Sequence, residues 1–161
     1  MFQHLSNPEY VHVLLNPLPI YGVAMGLLAM VVALVTRARG ARLTALAVLF
    51  VSAFSAWPVY HYGERAIARV LPLADSDGAK WLEEHEHRGE RLIYVFYALA
   101  ALAALAALTE RFAPRAAIPL AIATAVLATG TLAAGEYIAS AGGRIRHREF
   151  RYVLPPEEPK K

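Results

Sequence analysis

The chain has 161 residues, 57% of them hydrophobic and 18% charged, with a formal net charge of +3 and no cysteine. One domain is the default for that length, and the charges fall in short blocks between long apolar runs, the pattern of a membrane protein rather than a soluble core. The missing cysteine excludes disulfides, thiolate metal sites, cysteine-ligated iron–sulfur clusters and covalently attached c-type haem. No basic stripe is interleaved with exposed aromatics, so nucleic acid is not an expected partner.

The apolar runs are each about 20 residues long, as a bilayer core requires. They predict an all-α fold, an integral membrane up-down four-helix bundle over 1–143, with a polar basic tail over 144–161. The first helix is expected over about 8–36, with Asn7 as cap, Pro8 in the first turn and Glu9 on the positive end of the dipole. No basic segment precedes it, and it contains Asn16, Pro17 and Pro19, so it reads as a retained helix rather than a cleaved signal. The second helix covers about 43–62, followed by a polar loop over 65–80. The third, about 78–110, has Asp77 as its expected cap. The fourth covers about 116–141 and is expected to stop at Gly142 and Gly143. The final PPEEPKK reads as disordered.

Small residues recur on the third and fourth helices and suit close helix packing in lipid. Pro17, Pro19, Pro58 and Pro119 each remove a backbone donor and are expected to kink their helices. In an up-down bundle all six histidines (His4, His12, His61, His85, His87 and His147) fall at one end. The other end carries Arg37, Arg39, Arg42, Arg111 and Arg115 with Glu110. That short arginine-dense turn points to a cytoplasmic side, which puts the histidine end and both termini outside, in the periplasm of a bacterial inner membrane.

Helical angle divides the stretch WLEEHEHRGE. His85 shares a face with Trp81, Gly89, Leu92 and Phe96, whereas His87 lies about 200° away among charged side chains. His85 is therefore expected inside, and His4 and His87 in water. Glu136 lies in an apolar stretch roughly 8 Å from the expected helix end; a carboxylate there should face the interior. His12 has Asn16 one turn later as a hydrogen-bond partner. His61 ends the second helix between two tyrosines, where an interfacial role is the plainer reading, and Glu64 follows it. The candidate ligands are thus His12, His61, Glu64, His85, Glu136 and His147, the last folding back over the glycine pair. Imidazoles with carboxylates suit a non-haem transition metal such as zinc, iron or copper. Two opposed imidazoles suit haem b, with Arg144 or Arg146 for its propionates.

The segments VHVLLNPLPIYG, PVYHYGERA, EEHEHRGER and AGGRIRHREF resemble a bacterial four-helix membrane family of unknown function. Its members show HLLLNHFPxxG, then PxYxTGEA, a His-Glu pair opening the third helix, and GGxIRH after the fourth. This family is similar to membrane domains found joined to Rieske iron–sulfur or cytochrome domains. The resemblance implies redox work and marks His12, Glu64, His85 and His147. The chain departs from it at Pro17, where relatives carry His, and His61 is a candidate replacement.

The leading expectation is a redox or metal-binding membrane subunit that serves a redox partner subunit. A proton or metal-ion transporter built on Glu136 and the histidines is the first alternative. A structural or assembly subunit, packing through its small-residue faces and able to form a homo-oligomer, is the second. An enzyme acting alone is disfavoured: there is no phosphate loop and no HExxH, and EHEH has the wrong spacing.

Overall fold

Residues 6–156 are described by the computed structural model; His4 and the end of the tail, 157–161, lie outside them. The helices are α1 (Pro8–Leu15), α2 (Pro17–Thr36), α3 (Arg39–Phe54), α4 (Ala56–Val70), α5 (Ser76–Phe112) and α6 (Pro114–Arg146), with 3-10 turns at Leu71–Leu73 and Arg148–Phe150. They form four rods, α1–α2, α3–α4, α5 and α6, of 29, 35, 37 and 33 residues, each long and apolar enough to cross a membrane. This is the build of an integral membrane protein. At 1.5 Å per residue the rods are ~44–56 Å long against a hydrocarbon core of ~30 Å, so they project beyond it.

Consecutive rods are neighbours, and the fourth closes on the first through α2 and α6. Val23, Met30, Leu46, Leu49 and Leu99 fill the core, with Ala103, Ala121 and Ala128 between them. The alanines let backbones approach, which matters in lipid because apolar side chains gain nothing there from leaving water. Gly26 serves the same end: a Cβ on it would meet the Leu49 side chain at 2.8 Å.

The turns are held by arginine. At the 37–38 turn, Arg37 takes the left-handed conformation (φ 55°) and ends α2. Beside it Arg42, buried, donates to both oxygens of Glu110 at 2.7 and 3.1 Å, and Arg39 donates to the Glu110 carbonyl at 2.7 Å. At the histidine end Asp75, not Asp77, caps α5, accepting from the Gly78 N–H at 2.7 Å. Arg148 and Arg151 of the tail donate to Asp75 at 2.8 and 3.0 Å. Arg151 also reaches the Arg144 and Ile145 carbonyls at 2.8 and 2.9 Å, satisfying the last turn of α6. This cationic clasp, with the Gly78 N–H, holds the Asp75 carboxyl well below the usual carboxylate range.

Two expected boundaries move. The second rod runs on through the expected polar loop to Leu73, because 56–70 is itself an amphipathic helix with Val59 and Ala66 buried. The fourth passes through Gly142 and Gly143 to Arg146, with no glycine at positive φ. Those glycines are contact surface rather than a stop. A Cβ on Gly142 would lie 3.0 Å from the His85 ring, and one on Gly143 3.5 Å from Phe150. The tail, finally, is ordered through the clasp as far as Arg151.

Candidate functional site

At the histidine end the main partner of α1 is α4, and that of α5 is α6. Between the two pairs lies a mostly apolar cleft of about 720 Å³, lined by residues of α1, α4, α5 and α6 together with Pro19 and Ile20 of α2. That size is in the range of small-molecule and cofactor sites. Its walls include Pro19, Ile20, Val59, Ile93, Phe96 and Ile138, with few polar groups among them.

Two of those polar groups are His12 of α1 and His85 of α5, whose ring centres are 6.3 Å apart with planes at 80°. The His12 Nδ1 lies 2.8 Å from the Val59 carbonyl oxygen in α4. The His85 Nδ1 lies 2.9 Å from the Ile138 carbonyl oxygen in α6. A carbonyl only accepts, so Nδ1 carries the proton in both rings, and in the neutral imidazole Nε2 is left as the lone-pair donor. Neither Nε2 has a hydrogen-bond partner among the described residues.

The two anchors share a local design. A helical carbonyl already accepts from the N–H four residues on, and the side chain at that position covers it. Here that position is glycine in both cases: Gly63 follows Val59 by four, and Gly142 follows Ile138 by four. A Cβ at Gly63 would come within 2.9 Å of the His12 Nδ1, and one at Gly142 within 3.1 Å of the His85 Nδ1. Glycine is thus what uncovers the second lone pair of each carbonyl. The spacing, not a sequence motif for ligands, is the signal for these residues. Arg88 joins the second anchor: buried one turn after His85, it donates to the Tyr137 carbonyl at 2.6 Å and to Glu84 at 2.7 Å, and its guanidinium lies 3.7 Å from the Tyr137 ring centre.

The other sequence candidates scatter. Glu136 is exposed on the outer face of α6, which corrects its expected inward position. Glu136 is therefore not the buried acid of a proton route. His61 stacks on Trp57 (5.8 Å, 5°) and does not line the cleft. His147 does not fold over the glycine pair; it stacks on Phe150 at 4.9 Å, 2.9 Å from a Glu149 oxygen. Glu64 borders the cleft but is exposed. His12 is satisfied by Val59, not by Asn16, whose amide also lines the cleft. His85 lies inside and His87 outside, as helical angle predicts. Of the two arginines, Arg144 is engaged with the Phe150 carbonyl at 3.1 Å and the Trp81 ring at 4.6 Å. Arg146 borders the cleft without a hydrogen-bond or ionic partner among the described residues. Among those residues no three His, Asp or Glu side chains gather as a metal-ion site.

No protein-family model, no curated protein and no solved structure matches this chain. The cleft is therefore read on its own chemistry.

Proposed function

We propose that the protein is a haem-binding membrane subunit that carries electrons near one membrane face, with His12 and His85 as the axial ligands. The observation that carries this reading is the pair of neighbouring imidazoles lining one mostly apolar cleft, each Nδ1 fixed on a carbonyl and each Nε2 without a hydrogen-bond partner among the described residues. A transition metal sits about 2 Å from an imidazole nitrogen, and the ring centre lies roughly 1 Å behind that nitrogen, so two rings on one ion have centres about 6 Å apart. The pair is at 6.3 Å. Fixing the tautomer from behind is what ligand histidines require. A non-haem ion needs three or four protein donors; a haem brings four nitrogens of its own and needs two.

The fit extends to the walls. Gly63 and Gly142 leave room beside each ring where any other residue would push it into the cleft. Phe96, Ile93 and Ile20 supply an apolar floor, and Arg146 stands at the cleft's polar edge for a propionate. Bound there, haem iron would supply one-electron redox chemistry, with two neutral imidazoles and burial setting its potential. The histidine end faces the periplasm in this reading, and the electron partner is a protein or carrier on that side.

Purified protein should show a Soret band with low-spin bis-imidazole α and β bands and stoichiometric haem. Perpendicular ring planes should give the highly anisotropic low-spin signal in electron paramagnetic resonance. Stoichiometric zinc, iron or copper without haem would transfer the site to a non-haem metal. Protein reconstituted with haemin that gains no Soret band and holds no metal would end both forms.

A further inference from the structure

Prolines interrupt two rods at one level and spare the other two there. Pro17 and Pro19 follow α1 directly, and Pro58 lies in the first turn of α4. A proline has no N–H, so the carbonyls of Val13, Leu15 and Phe54 lose their i+4 donors. α5 has no proline, and Pro119 of α6 lies toward the opposite end.

Beyond the helix breaks at Asn16 and Ser55, α1 and α4 are bound to each other. Arg69 of α4 reaches Asn7 at 3.3 Å and Glu9 at 3.5 Å, and His12 sits on the Val59 carbonyl. They meet the α5–α6 pair chiefly where α4 touches α5, with the rings of His12 and His85 close together in the cleft. The seam between α1 and α6, bordered by Val13 and Ala139, carries little packing. One cleft histidine thus rides on each pair, His12 on the bent one and His85 on the straight one.

We propose that α1 and α4 move together as a hinged arm against a fixed α5–α6 pair. The α1–α6 seam is then the door of the cleft, and His12 is the imidazole that withdraws when a second, small neutral ligand arrives. The last clause rests on the haem reading; the arm itself does not. Hinges of this kind are a few positions that absorb backbone change while the flanking elements stay rigid.

The chain has no cysteine, so spin labels can be placed without background. Labels on Leu14→Cys and Glu136→Cys, on the exposed faces of α1 and α6, report the seam. Labels on His87→Cys and Glu136→Cys report the α5–α6 pair. In ligand-free protein in nanodiscs the first pair should give a broad or two-peaked distance distribution and the second a narrow one. Changing Pro17, Pro19 and Pro58 to alanine should narrow the first. A narrow first distribution in the unaltered backbone overturns the arm, whether or not haem binds. Carbon monoxide tests His12 in haem-loaded, reduced protein. An adduct that retains His85, forms several-fold faster in His12→Ala and slows several-fold in the proline variant is expected. A haem-loaded protein that refuses carbon monoxide, or that releases His85 instead, overturns the role of His12. Absence of haem altogether counts against the haem reading, and the label distances still decide the arm.

Discussion

The α1–α4 pair and the α5–α6 pair wall the same cleft and present the same donor, an imidazole anchored on a neighbour's carbonyl. They differ in backbone. α5 and α6 run unbroken past the site, and two side chains of α5, His85 and Arg88, are bonded into α6. α1 and α4 are set off from α2 and α3 by proline-flanked helix breaks at Asn16 and Ser55, and the polar contacts between them are His12 and the exposed Arg69 bridge. A donor on the α5–α6 pair is presented by rigid scaffold. A donor on the α1–α4 pair is presented by a segment whose position depends on the helix breaks at Asn16 and Ser55.

The sharpest way to break this comparison is to delete each imidazole. His85→Ala should abolish haem uptake, because its loss leaves only the donor on the arm. His12→Ala should retain haem in five-coordinate form, with a broadened, blue-shifted Soret band; equal loss in both variants would erase the asymmetry. The glycines come next. Gly142→Val pushes a side chain into the His85 ring and should cost about 1–3 kcal/mol of stability by overpacking, read as thermal unfolding in detergent. Gly63→Val should cost less, since the arm can yield. Hydrogen exchange gives the same contrast without mutation: amides near Val59 and Gly63 should exchange faster than those near Ile138 and Gly142.

A smaller effect follows from the tail clasp on the rigid pair. Arg151 and the Gly78 N–H depress the Asp75 carboxyl. A carboxylate depressed in the folded state stabilises it above its unfolded pKa, about 3.9, and that contribution is lost as pH falls below this value. Protection of the tail should thus persist from neutral pH to about pH 4 and fade under stronger acid. Asp75→Asn should remove the pH dependence. The smallest effect is expected at Glu136 and His61: Glu136→Gln and His61→Ala should leave any haem spectrum unchanged, since neither side chain lines the cleft.

Much of the fold was legible in the sequence because it rests on quantities a sequence carries directly. Run length against bilayer thickness predicts the four spans, Pro17 and Pro58 lie just after helix breaks, and helical angle separates His85 from His87. What failed were inferences that needed a neighbouring chain segment. Gly142 and Gly143 fit a helix stop in isolation, yet their use is set by His85 and Phe150 on other elements. The apolar neighbours of Glu136 in sequence predict an interior position, but the packing of α6 against α5 and α2 turns it to the exposed face of the rod. Asp77 fits the cap position in sequence, but Asp75 takes it, accepting from the Gly78 N–H and held there by Arg148 and Arg151 of the tail. The anchoring carbonyls of Val59 and Ile138 have no side-chain signature. Only the glycine four residues later betrays them.

That glycine spacing also says how little is needed to specify the site. Each half is one helical hairpin, with a histidine near the start of its first rod and a carbonyl–glycine pair near the end of its second. The two halves present these elements to each other in the same order. A gene encoding a single such hairpin would already contain every element of the centre, and two copies joined face to face would complete it by symmetry. The chain has the form of that hairpin written twice in one polypeptide, so each half can be altered without altering the other.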